Sequence, residues 1–280
     1  GELKYYENLD KILTPQNLPQ IKEYLKFNVM NDATGYLTKE LDELSFDFYG
    51  RKLRGQKEQR DLEKRGLEFV NGSVGELLGK LYVKENFPPE AKAACEEMVQ
   101  YLVKSFHVHI ENLDWMSDAT KTKALEKLSK FKVKIGYPDK WKDYSKLAVG
   151  TSLFDNIRAI SSWAFQENLA KQGKPVDKSE WGMTPQTVNA YYSPLFNEIV
   201  FPAAILQVPF YDYKADAAVN FGGIGAVIGH ELSHGFDDSG SQYDGNGNLN
   251  NWWTPEDKEK FDAATNALVG QFESYEPVPR

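Results

Sequence analysis

The chain has 280 residues, 41% of them hydrophobic, with a formal net charge of −8 at pH 7. That length and apolar content support a substantial core, in one large domain or parts of two. An acidic chain with no sustained basic stripe excludes a phosphate backbone as its main partner, so no nucleic acid is expected.

The first stretch, from Leu3 to about Arg65, reads as helical. Leu9, Ile12 and Leu13 precede a break at Pro15, and Leu18, Ile21, Tyr24 and Leu25 carry the next amphipathic segment. In the charged run from Arg51 to Arg65, interleaved Glu58, Asp61 and Glu63 point to a solvated helix face. Leu77 to Phe87 carries an apolar face that Pro88-Pro89 interrupts. A helix is then expected from Glu90 to about Leu113, with Met98, Leu102, Phe106 and Ile110 on one side. It carries Cys95, the single cysteine, which can form no disulfide within the chain and whose neighbours Glu96 and Glu97 discourage a thiolate. Cys95 is therefore read as a small buried residue. His107 and His109, two apart on that helix, point in different directions and are assigned a structural role.

Asp118 to Lys132 is expected to be helical with Ser117 as N-cap, and Gly136-Tyr137-Pro138-Asp139 has turn chemistry. Tyr144 to Gly173 reads as a further helix. Val188 to Tyr192 and Ile199 to Phe201 are the clearest strands, forming a β-hairpin about the turn Pro194-Leu195-Phe196-Asn197. Tyr243 to Asn248 alternates oxygen-bearing side chains as calcium loops do, but it lacks the glycine and distal Glu of an EF-hand, which favours a plain turn. Trp252-Trp253 reads as a core anchor before a helix from Pro255 to about Phe272. The longest apolar run, about 221–229, is far too short to span a bilayer.

The chemistry concentrates in His230-Glu231-Leu232-Ser233-His234, an H-E-x-x-H pattern. Residues four apart on a helix lie one turn above each other, so both imidazoles can converge on one metal ion with Glu231 beside them. Zinc suits neutral imidazole ligands and leaves a position open for water. Ile224, Val227, Ile228 and Leu232 recur at helical spacing, and Gly222, Gly225 and Gly229 permit close packing, so a buried active-site helix is expected over about 221–236. The competing reading is a helix whose two histidines are satisfied by hydrogen bonds. A nucleotide loop is excluded, because Ile228 holds the last glycine position of G-x-G-x-x-G.

Several blocks together resemble one family. Val188-Asn189-Ala190-Tyr191-Tyr192, Asn197-Glu198-Ile199-Val200-Phe201-Pro202-Ala203, and Val227 through Asp238 around the two histidines are similar to the neprilysin family of zinc endopeptidases. The single cysteine makes the resemblance one to its bacterial, endopeptidase O-like members. The resemblance implies a mainly α-helical protein with a small β-sheet: a thermolysin-like zincin catalytic lobe, here residues 61–280, and part of a helical cap lobe, here 1–60. It implies one Zn(2+) per chain, held by His230 and His234 and by a Glu in a later E-N-x-A-D block. The chain reaches Arg280 without that block, so the third ligand is expected beyond Arg280 and the catalytic lobe is expected to be incomplete at its C-terminus. The end at Glu276 to Arg280 suits cleavage by a trypsin-like protease, so a fragment lacking both ends is expected, with a complementary C-terminal polypeptide as a partner. The resemblance also implies export in a bacterium, as a periplasmic, lipoprotein-anchored or secreted protein.

The expected reaction is hydrolysis of oligopeptides, with Glu231 as general base toward a zinc-activated water and no covalent intermediate. By resemblance, substrate adds as a strand along the edge of Val188 to Tyr192, held by Asn189 and the Ala190 backbone. Ile205, Phe210, Ala226 and Val227 match the family's pocket after the scissile bond, which implies cleavage on the amino side of hydrophobic residues. Their competing reading is core packing. Asp237 is expected either to hydrogen-bond a zinc-bound histidine or to cap the helix C-terminus. The alternative function is an incomplete, catalytically inactive fragment or peptide-binding module with the same fold.

Overall fold

The computed structural model describes residues 3–276; the stretch 277–280, where the expected fragment end falls, lies outside the described residues. In chain order the helices are α1 Leu3–Ile12, α2 Leu18–Ala33, α3 Lys39–Ser45, α4 Leu62–Asn86, α5 Pro89–Glu111, α6 Asp118–Ser129, α7 Leu153–Leu169, α8 Ala217–Gly222, α9 Ile224–His234 and α10 Pro255–Glu273. The strands are β1 Lys132–Gly136, β2 Tyr191–Ser193 and β3 Glu198–Pro202. The protein is thus mainly α-helical with a small sheet, as expected. Side-chain caps set several helix starts: Ser117 accepts from Thr120 N, Ser152 from Asp155 N and Thr254 from Asp257 N.

The chain forms two compact units, residues 1–73 with 143–175, and 74–142 with 176–280. This differs from a boundary near residue 60. The first division falls beside Val74, whose φ of −131° and ψ of 37° break the helical path of α4. In the first unit, Arg65 forms a two-pronged ion pair with Asp42 at 2.6 and 2.9 Å, tying α4 to α3. The stretch 51–65 is exposed except at Arg65, but it is not one helix, since Gly55 adopts φ +69° and residues 55–61 leave the helical path. Helix α7 starts at Leu153, later than Tyr144, because Ser152 provides its cap.

The second unit holds the main core. Strand order is β1-β3-β2, with β1 parallel to β3 (Ile135 opposite Phe201) and β2 antiparallel to it (Tyr192 opposite Ile199). β3 is central and wholly buried, which its unbroken Ile199-Val200-Phe201 run explains. β1 replaces the expected end of α6 at Lys132 and runs into the expected turn at Gly136. Its Lys-Val-Lys-Ile alternation has the period of a strand, and Gly136 turns the chain at φ +79°. Asn197 at φ +50° makes the hairpin turn. Cys95, Val99, Ile199, Phe201, Ile224, Ile228 and Leu232 share one core cluster with Trp253, which stacks on Trp115. The Cys95 thiol is fully buried, and burial pushes its pKa up to about 12. His107 and His109 are exposed on α5, His107 lying 3.4 Å from Glu111. Among the described residues, no helix is long and apolar enough to cross a membrane.

Candidate active site

The expected helix over 221–236 is two helices, α8 and α9, broken at Gly223. A side chain on Gly223 would overlap the carbonyl oxygen of Phe210, which accepts from Ile224 N at 2.8 Å. The break therefore anchors the start of α9 to the preceding loop. Ile224, Ile228 and Leu232 form the buried stripe of α9, and Gly225 lets the Met98 side chain of α5 approach within van der Waals range. That stripe orients the rest of the helix: His230 is turned to solvent, His234 is half-buried, and Glu231 is 5% exposed.

The two imidazoles face each other, with Nε2 of His230 and Nε2 of His234 3.0 Å apart and their rings at 78°. Two nitrogens each about 2.05 Å from a tetrahedral zinc lie roughly 3.3 Å apart, so the pair fits the ion with little adjustment. Asp237 Oδ2 sits 2.7 Å from His234 Nδ1. A carboxylate there accepts the Nδ1 proton and leaves the Nε2 lone pair of His234 toward His230, as a ligand requires. Asp237 is itself fixed, its Oδ1 accepting from Ser239 N at 3.0 Å and Gly240 N at 2.7 Å. It does not cap the helix C-terminus, whose position is taken by Gly235. Burial raises the pKa of Glu231, opposed by the two histidines and by the backbone N–H of Tyr192. Among the described residues, no group of three or more His, Cys, Asp or Glu side chains is placed to hold a metal. The loop at Tyr243 to Asn248 is a turn organised by Asp244, whose Oδ1 accepts from Asn246 N and Asn248 N.

A cleft of about 350 Å³ runs over this site, lined by Asn189, Ala190, Tyr192, Glu231 and both histidines. β2 forms one edge of the three-stranded sheet, and it packs on α9. Asn189 and Ala190 lie just before β2, not within it, and Asn189 Oδ1 accepts from Ala190 N at 2.9 Å. Ile205, Phe210, Ala226 and Val227 do not line this cleft. Ile205 is a core residue and Val227 packs on the core, whereas Phe210 and Ala226 are exposed.

One residue of this region went unrecognised in the sequence. Lys127 of α6 is 1% exposed, and its Nζ donates to the carbonyls of Gly235 and Gly240 at 2.6 Å and of Tyr243 at 2.7 Å. The rings of Tyr192, Phe236 and Trp252 stand around it, each centroid within 5.9 Å. Burial lowers its pKa to about 8, opposed by Asp237 and Asp244. The signal was its spacing, since it shares the apolar face of α6 with Thr120, Ala124 and Leu128.

Two family models, both described as Peptidase family M13, match residues 1–138 and 189–280. A neutral endopeptidase of Lactococcus lactis is 37% identical over 277 residues, covering 98% of this chain and 44% of that protein. Neprilysin-3 of Drosophila melanogaster is 34% identical, covering 97% of this chain and 36% of that one. Among solved structures, a zinc metalloprotease Zmp1 of Mycobacterium tuberculosis, in complex with inhibitor, superposes with a TM-score of 0.84 at 49% identity, over 90% of this chain and 38% of that one. PepO from Lactobacillus rhamnosis gives 0.89 at 38% identity, over 96% and 43%. The chain thus spans less than half the length of each of these relatives.

Proposed function

The chain belongs to peptidase family M13, and from that premise we propose that the protein is a zinc-dependent endopeptidase hydrolysing oligopeptides. The observation that carries the reading is the pair of Nε2 atoms 3.0 Å apart on α9, with the buried Glu231 of the same helix meeting the backbone N–H of Tyr192 in the sheet-edge strand. His230 and His234 would hold one Zn(2+) per chain, with a Glu outside these 280 residues as the third ligand. Bound there, zinc would lower the pKa of a water and polarise the scissile carbonyl.

The chain's own residues supply the rest. Glu231 takes a proton from the attacking water and returns it to the leaving amine, which its place beside both histidines and the cleft permits. Asp237 keeps His234 in the ligating tautomer. Asn189 and Ala190 hold the substrate main chain where it runs beside β2. Ile205, Phe210, Ala226 and Val227 form an apolar pocket for the residue after the scissile bond, so cleavage falls on the amino side of hydrophobic residues. Support for the pocket is the apolar chemistry of all four residues, two of which, Phe210 and Ala226, are exposed. The unit containing residues 74–142 and 176–280 is assigned to the catalytic lobe, and the other unit to the cap. We also assign the protein to an exported bacterial compartment, with a complementary C-terminal polypeptide as partner if the chain occurs in nicked form.

The cleft beside the sheet-edge strand β2 also suits a second reading, a peptide-binding module without catalysis. Glu231→Gln in the full-length protein separates the two. The enzyme reading expects zinc retained near one per chain and peptide hydrolysis lost; hydrolysis surviving in that variant would contradict Glu231 as the base.

A further inference from the structure

We propose that Lys127 is a positioning residue for the two-histidine site, holding the turn that carries Asp237 and thereby the ring of His234. The inference rests on the metal-site reading above and extends it to a side chain on a different helix. Three observations carry it. The Lys127 ammonium bonds the carbonyls of Gly235 and Gly240, the residues at the two ends of that turn, and thus ties the turn closed from beneath. Asp237 lies between those ends, with one carboxylate oxygen on the turn's N–H groups of Ser239 and Gly240 and the other on His234 Nδ1. The turn is linked to the substrate side as well: Asn197, at the tip of the β2–β3 hairpin, donates to the Lys127 carbonyl at 3.1 Å and to Gly245 O at 3.2 Å, while Tyr192 bonds Asn197 Oδ1.

The chemistry explains why a lysine is used. An ammonium has three donors and no acceptor, so three converging carbonyls satisfy it completely, and the aromatic rings around it stabilise the charge without competing for the protons. An apolar residue of similar length would fill the same space but leave three buried carbonyls unpaired. The turn would then relax, and Asp237 is the member of it whose side chain bonds the ring of a metal ligand.

The test measures Zn(2+) affinity by competition with a chromophoric chelator in the purified full-length protein, using wild type, Lys127→Met, Asp237→Ala and the double variant. Lys127→Met is expected to bind zinc roughly 10–100-fold more weakly, the range for loss of a group supporting a ligand. The double variant is expected to bind no more weakly than Asp237→Ala alone, because both substitutions remove the same restraint. Losses that multiply in the double variant, or an unchanged affinity in Lys127→Met, would overturn the proposal. Phe87→Ala, a destabilising change in the core of the same unit where Phe87 packs on Tyr137, should keep wild-type affinity; an equal loss there would reduce Lys127 to a general stability effect and also overturn it. If Lys127→Met does not fold, Lys127→Arg replaces it in the cycle, since a planar guanidinium cannot meet three carbonyls in the same geometry. A wild-type protein that binds no zinc overturns the metal-site reading and this inference with it, an outcome distinct from failure in the variants alone.

Discussion

The α-carbon of Gly240 lies against the carbonyl oxygen of His234, so closely that any side chain at 240 would overlap it. The turn after the metal-site helix is therefore closed on the helix's last residue, with Asp237 inside it. Gly240→Ala should push the turn away and break the Asp237 to His234 hydrogen bond. Because the remaining core contacts of α9 are made by Ile224, Ile228 and Leu232, the fold should survive. Zinc affinity roughly tenfold or more below wild type is expected, with a retained far-UV circular dichroism spectrum. Wild-type affinity in this variant would show that the turn adapts.

Asp257 is fully buried and accepts hydrogen bonds from Ser117, Thr120 and Thr254, joining the N-termini of α6 and α10. Burial alone would raise its pKa, but these bonds outweigh that effect and hold the carboxyl well below the usual carboxylate range. Since the folded-state pKa is depressed, the stabilisation is present above the unfolded value and is lost as pH falls toward the folded one. Asp257→Ala should cost about 3 kcal/mol at neutral pH by removing the buried carboxylate that accepts from Ser117, Thr120 and Thr254. Urea unfolding at neutral and acidic pH checks it, and the variant should lose less stability on acidification than wild type does.

Lys134 Nζ lies 2.9 Å from Glu198 Oε1, and Glu198 is 1% exposed at the start of the central strand. Burial raises the pKa of Glu198, and Lys134 is the principal group opposing it. Lys134→Met should cost about 3 kcal/mol near neutral pH, because it strands a buried carboxylate. Here the sign is opposite to that of Asp257. A raised folded pKa means protonation favours the folded state, so the penalty should shrink as pH falls. A pH-independent penalty in equilibrium unfolding would argue that the variant acts through packing alone.

Cys95 should be silent toward thiol reagents in the native protein, since its sulfur is buried and its pKa is about 12. One thiol per chain should react once the protein is unfolded in denaturant. Rapid native-state labelling would place the side chain outside the core.

What the sequence determined by itself was whatever depends on local spacing. The i, i+4 histidines and the apolar stripe Ile224, Ile228, Leu232 specify a helix that buries one face and turns both imidazoles to the other. Ser117 as a cap, the β2–β3 hairpin and a buried Cys95 were equally legible, because each is encoded within a few residues. Tertiary structure decided what depends on residues distant in the chain. The break at Gly223 arises from the Phe210 carbonyl, and β1 is a strand because β3 offers it a partner 66 residues on, from Lys132 to Glu198. Lys127 shares the apolar face of α6, but its charge is buried only because carbonyls 108 to 116 positions away converge on it. A charge becomes worth burying only when the fold gathers its partners, and no local pattern records that gathering.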